Sequence, residues 1–230
     1  MRKLALMLLL GIFASTTAMA TTVELTLQST GNNGDAYPYN MQVNNSTSTV
    51  AMVCDSATNT ISTGESWQAT VYTVYDAPGT LFTGTGGALN GYTQTQITQV
   101  YEKAAWLFLQ LTNPTNTQNS SFGGSTGIAM AINDAIWDLF DKSGPTQGSW
   151  SKGQQADPTA SNYWTYQSQN TTFTTGEFNG IAVYTPIAGT QPSGDGTPQE
   201  FIGPVPEPGT LALLGTGLVS LAGLIRKRFC

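Results

Sequence analysis

The spacing of apolar residues changes twice along this chain, and that change limits the possible folds more than any other feature. From Thr22 to Leu27 apolar and polar residues alternate, with Val23, Leu25 and Leu27 on one face, the period-two pattern of a half-buried strand. Tyr39 to Val43 and Thr49 to Cys54 predict two more strands, joined by the polar turn Asn44-Asn45-Ser46-Thr47. Ser66 to Tyr75 is the clearest strand, with Trp67, Ala69, Val71, Thr73 and Tyr75 facing one way. The period then lengthens. Ile97, Val100, Tyr101, Ala104, Phe108 and Leu111 recur at helical spacing and predict a helix over residues 96–112, stopped by Asn113-Pro114. A second helix is expected over residues 126–142, with Ile128, Ala131, Ile132, Ala135, Ile136, Leu139 and Phe140 on its apolar side and Ser143-Gly144-Pro145 after it. Residues 146–170 read as loop with a short helix near Tyr163. Strand spacing returns at Phe173 to Phe178 and Ile181 to Ile187, and Glu200-Phe201-Ile202 predicts a last edge strand. The expected fold is α+β over residues 21–188: a β-rich sandwich or barrel-like body with a two-helix insertion, followed by a flexible spacer over 189–204.

The two ends are of another kind. Arg2 and Lys3 precede the apolar run Leu4 to Ala14, and Ala18-Met19-Ala20 supplies the small-x-small pattern that signal peptidase cuts. Residues 1–20 are therefore expected to be a signal peptide, with cleavage signalled by Ala18 and Ala20. At the other end, Val205-Pro206-Glu207-Pro208-Gly209 leads into an uncharged stretch, Thr210 to Ile225, and then Arg226-Lys227-Arg228. Sixteen residues lie near the lower limit for a hydrocarbon core of about 30 Å at about 1.5 Å per residue. The three cations would stop transfer and hold that end in the cytoplasm.

With these ends set aside, residues 21–204 hold three lysines (Lys103, Lys142 and Lys152) against thirteen acidic residues, a formal charge of −10. Nucleic acid and anionic lipid both call for a basic face and are not expected partners. Histidine is absent from the chain, which removes Ser-His-Asp and Cys-His catalysis and the usual zinc sites. No cofactor, metal site or catalytic residue is expected, and a non-enzymatic role follows. Cys54 is the one cysteine between the two end segments, so no intramolecular disulfide can form there.

The order Pro-Glu-Pro, short glycine-bearing span and basic tail over residues 205–230 resembles the PEP-CTERM sorting signal of Gram-negative bacteria. The resemblance implies recognition of Pro206, Glu207 and Pro208 by an exosortase and transient anchoring in the inner membrane by a helix near 210–225. It also implies a final place at the cell surface or outside the cell, and a role among exopolysaccharide or other matrix material. The two prolines favour an extended backbone at the motif, a shape suited to a protease cleft.

Cys54 ends an apolar strand and reads either as a small buried hydrophobe or as a reactive thiol. Its company supports the second. The Cys, the Gly64 to Trp67 Gly-x-x-Trp, Ala104-Ala105-Trp106-Leu107 and Ala135-Ile136-Trp137 resemble the thioester domains of bacterial surface adhesins. Those domains join a Cys thiol to a Gln side chain and capture amines. In the resemblance that Gln falls at Asn133, one methylene shorter, a shortfall of about 1.5 Å unless the backbone compensates.

Other candidates are weaker. Asp134, Asp138 and Asp141 share a helix face, read as solvated or as ligands for a hard cation. Asp55 and Glu65 would make a glycosidase pair if the fold joined them. Trp150 and Trp164, in polar sequence, are expected to be exposed and to stack on glycans.

Overall fold

A computed structural model describes residues 21–31, 36–56, 61–113, 127–140, 161–191 and 198–206. The signal-peptide and membrane-span expectations, and Trp150, lie outside these residues. So do Asp141 and the cations Arg226, Lys227 and Arg228. Among the described residues no helix is long and apolar enough to cross a membrane.

Six antiparallel strands close into a barrel in the order β1-β2-β3-β6-β5-β4. They are β1 (Thr21–Gly31), β2 (Ala36–Val43), β3 (Thr49–Cys54), β4 (Ser66–Thr73), β5 (Ile181–Pro186) and β6 (Phe201–Pro204). Among the described residues three helices lie between β4 and β5: α1 (Gln94–Thr112), α2 (Ile128–Phe140) and α3 (Ser161–Asn170). Of the two β-rich expectations, the barrel is the one observed.

Period-two patterning fills the interior from all six strands. Leu25, Leu27, Met41, Met52, Trp67, Tyr184 and Phe201 are fully buried there, and Cys54 joins them. The Phe201 ring lies 5.3 Å from Tyr39, edge to face, and 6.0 Å from Trp67. The opposite faces of β3, β5 and β6 contribute Val53, Val183 and Ile202 to a second core, where they meet the apolar sides of α1 and α2. Every residue of β5 is buried because one face lines the barrel and the other lies under helices.

Local chemistry sets the boundaries. The β2–β3 turn places Asn44 at φ 51° and Asn45 at φ 54°, the left-handed conformation that Asn tolerates and that tight hairpin turns need. Ser46 N–H closes it on the Val43 carbonyl at 3.0 Å. The α1 start carries a capping box: Thr93 Oγ1 accepts from Gln96 N–H at 3.3 Å, and Gln96 Oε1 accepts from Thr93 N–H at 2.9 Å.

Four expectations need correction. Residues 173–178 form no strand: turns begin at 175, Gly176 sits at φ 88° and Glu177 N–H bonds the Thr174 carbonyl at 3.1 Å, so the chain bends where alternation suggested a strand. The short helix expected near Tyr163 is present and spans Ser161–Asn170, so the insertion holds a third helix beyond the two expected. The last strand is no edge, since β6 pairs with β3 on one side and β5 on the other and closes the barrel. Residues 201–204 are thus part of the barrel and not of a flexible spacer.

Candidate functional site

Polar side chains are buried together where β3 and β6 meet. The register is Val53 opposite Ile202 and Cys54 opposite Phe201, and just beyond it Asp55 N–H donates to the Glu200 carbonyl at 3.3 Å. An antiparallel offset of this kind brings residues 54–56 alongside residues 199–201.

The ladder ends at Cys54 and the chain bends immediately. The Cys54 thiol donates to the Ser56 carbonyl at 2.8 Å, and Ser56 N–H returns to Sγ at 3.3 Å. Gln199 Nε2 donates to the same Ser56 carbonyl at 3.4 Å. A thiol and a primary carboxamide therefore share one acceptor, and both residues are buried. From the helix layer, Trp137 Nε1–H donates to the Cys54 carbonyl at 2.9 Å, which lays α2 over this end of β3. Asn133, one turn before Trp137, is fully buried on α2.

Next in the chain to Cys54 and to Gln199 stand two carboxyl residues. Asp55 and Glu200 are both fully buried. Glu200 accepts from the Tyr101 hydroxyl on α1, in a short hydrogen bond, and from Thr185 Oγ1 on β5 at 2.5 Å. The Asp55 carboxyl oxygens are buried with no hydrogen-bond partner among the described residues. Two ionised carboxyls in one dry site are disfavoured, and both groups are held above their ordinary range. Burial and the Glu200 charge push Asp55 well above the usual carboxylate range. Burial also raises Glu200, while its neighbours Asp55, Thr185 and Tyr101 work against the rise. The Tyr101 hydroxyl is pushed up by burial and by the Glu200 charge. Burial first, and then the Asp55 charge, raise the Cys54 thiol, which is consequently neutral at ordinary pH.

The remaining sequence candidates are placed elsewhere. Asp55 meets Glu200 through its backbone N–H, while Glu65 Oε2 accepts the Ser62 N–H at 2.9 Å in the turn before β4. Asp138 accepts from Thr165 Oγ1 at 3.4 Å and ties α2 to α3. Asp134 is partly buried and its carboxyl is raised by that burial. Among the described residues no group of three acidic, Cys or His side chains could hold a metal ion. Trp164 is only 6% exposed; it packs on Trp106 at 6.4 Å and Tyr163 at 5.0 Å. It belongs to the helix-layer core and is not the exposed glycan platform its polar sequence suggested.

Sequence reasoning missed Gln199, Glu200, Tyr101 and Thr185. The available signal was short: Gln199-Glu200 stands directly before the apolar pair Phe201-Ile202, after a Gly- and Pro-rich run.

Neither curated proteins nor solved structures yield a match to this chain. Residues 204–228 match the PEP-CTERM protein-sorting motif, beginning on the last residue of β6 and taking in Pro206, Glu207 and Pro208, so the chain carries the sorting signal of an exosortase substrate.

Proposed function

We propose that the barrel is the exported, surface-presented part of a non-enzymatic matrix or adhesion protein, and that it attaches to amine-bearing material through a thioester between Cys54 and Gln199. The observation that carries this reading is the shared acceptor: Cys54 Sγ and Gln199 Nε2 both donate to the Ser56 carbonyl. Closure forms the Sγ–Cδ bond of Gln199 and breaks Cδ–Nε2, releasing ammonia. Gln supplies the methylene that Asn133 lacks, and it meets the thiol's own acceptor from the segment leading into β6. Burial of both groups keeps water from the acyl carbon and gives a thioester a long life. Capture of an amine then requires displacement of the α2 cover at Trp137. The same burial speaks against a glycosidase, because a sugar and a water must fit between two working carboxyls, and Asp55 and Glu200 leave no exposed surface.

Export by a signal peptide, cleavage by signal peptidase and association with exopolysaccharide complete the proposal, following the sorting signal. The test is the intact mass of the full chain with thiol alkylation. Loss of one ammonia, about 17 Da, together with an unreactive Cys54, is the expected result. Gln199→Ala should restore full mass and a titratable thiol, whereas Asn133→Ala should leave the loss in place. The opposite pattern would move the crosslink to Asn133, and full mass with a reactive thiol in the unaltered chain would end the thioester reading.

A further inference from the structure

The sorting motif begins inside the barrel wall. Its match starts at residue 204, and Pro204 is the last residue of β6, a strand paired with β3 on one side and β5 on the other. Burial ends abruptly there: Phe201, Ile202 and Gly203 are buried, Pro204 is half-buried and Val205 is exposed. The wall is tight, since a Cβ on Gly203 would stand 2.7 Å from Met52 Cγ of β3. Two further bonds fix the point of exit. The Tyr184 hydroxyl of β5 donates to the Pro204 carbonyl at 2.5 Å, and Val205 N–H donates to the Gly180 carbonyl at 3.0 Å. Pro206, the first residue of Pro-Glu-Pro, follows directly on that last bond.

We propose that the closed barrel and the exosortase compete for residues 203–205, so that seating of β6 restrains processing of the sorting signal. An extended peptide is commonly held by main-chain hydrogen bonds added along its edges. Residues 201–204 already pair with β5, and residues 201 and 202 pair with β3 as well. The next N–H, on Val205, is bonded to Gly180. Prolines offer no replacement, because Pro204, Pro206 and Pro208 have no N–H to give.

Room on the other side is short. Five residues, 205–209, separate β6 from the uncharged stretch that starts at Thr210, and fully extended they span about 17 Å. An enzyme seated at the membrane therefore meets the end of the barrel before it meets more chain. To hold residues ahead of the motif, it must open the Val205 and Pro204 bonds and lift the end of β6. Each strand runs antiparallel to both neighbours, so the end of β6 shares its end of the barrel with the starts of β1, β3 and β5. The Cys54 end of β3 is at the other. The restraint thus rests on the sorting signal and is independent of the crosslink.

The test is the rate at which the full chain is processed in exosortase-bearing cells, followed by pulse labelling and by the mass of the product. A Gly-Ser segment of about six residues and a second valine are inserted between Val205 and Pro206. The barrel then keeps β6 and both exit bonds, and the motif keeps a valine before it. Processing should quicken by about fivefold or more, the scale of two ordinary hydrogen bonds, with the cut at the same bond relative to Pro-Glu-Pro. Tyr184→Phe removes the donor to the Pro204 carbonyl and should quicken it by a smaller factor. An insertion variant processed at the original rate overturns the proposal, whatever Tyr184→Phe does. One processed more slowly also overturns it, and makes the barrel end a surface that helps to hold the enzyme. Replacing Pro206, Glu207 and Pro208 by alanine should abolish processing with and without the insertion. Processing that survives only in the inserted chain traces the faster cut to another protease and overturns the proposal equally. Processing that survives in the chain without the insertion fails the sorting reading itself, and the restraint falls with it.

Discussion

The barrel interior and the rim where β3 meets β6 are built by opposite rules. Inside, Leu25, Leu27, Met41, Met52, Trp67 and Phe201 fill space with apolar and aromatic surface. Such packing stabilises a fold without demanding a particular partner for each atom. At the rim, Asp55, Ser56, Gln199 and Glu200 are as dry as the interior, yet each must find a hydrogen bond or lose free energy. Burying two carboxyls is a poor way to gain stability, because desolvation opposes whatever the pairing returns. The interior accounts for why the barrel stands; the rim concentrates the groups whose proton affinities differ from ordinary values, which is where chemistry is to be sought.

The sharpest way to break this comparison is to damage the interior alone. Phe201→Ala removes a fully buried ring that touches Tyr39 and Trp67. It should cost about 3–5 kcal/mol, measured by urea unfolding. A loss below about 1 kcal/mol would mean that the interior is not the stabilising region.

At the rim the expected change is smaller and depends on pH. Tyr101→Phe deletes one donor to the buried Glu200 charge and should cost about 1.5–3 kcal/mol where Glu200 is ionised. It should cost less where Glu200 is protonated. The folded protein holds Asp55 above its ordinary 3.8 and Glu200 above its ordinary 4.5, so the folded state binds protons more tightly than the unfolded chain. The cluster's contribution is then fully present below those ordinary values. It is lost as pH rises toward the folded-state values, and levels off above them. Asp55→Asn should flatten that decline in a series of melts across pH. A stability curve that rises through the same window in the unaltered protein would contradict the upward shift of the two carboxyls.

The two regions were also unequally legible in the sequence. Interior positions follow from spacing: Val23, Leu25 and Leu27, and Trp67 with Ala69, were visible as strand faces because period two depends only on neighbours in the chain. The β2–β3 turn and the long helices were visible for the same reason. What failed depended on closure. Only a closed barrel makes β6 a central strand, and nothing local to Phe201-Ile202 says whether one neighbour or two will pair with it. Gln199 finds its acceptor 143 residues away, a separation that no local pattern encodes. Cys54 was singled out by its strand end, but the partner read from the helix motif was Asn133, and the second amide at Gln199 lay hidden in an expected spacer. Trp164 misled because its immediate neighbours are polar, while the rings that bury it come partly from another helix.

The smallest predicted effect tests whether the helix layer can be weakened while both the interior and the rim remain unchanged. Thr93 caps α1 through its side chain and belongs to neither region. Thr93→Ala leaves the Gln96 N–H without that acceptor and should cost about 1 kcal/mol. The barrel strands keep their own hydrogen bonds, so amide exchange should quicken most in the first turn of α1 and least in β1 and β4. Tyr101 lies two turns along the same helix, and its bond to Glu200 ties that helix to the rim. If the cap substitution also shifts the pH dependence of stability, fraying has propagated through Tyr101 to the carboxyl pair, and helix layer and rim form one cooperative unit. If the pH dependence is unchanged, the rim is held by β3, β5 and β6, and α1 only covers it.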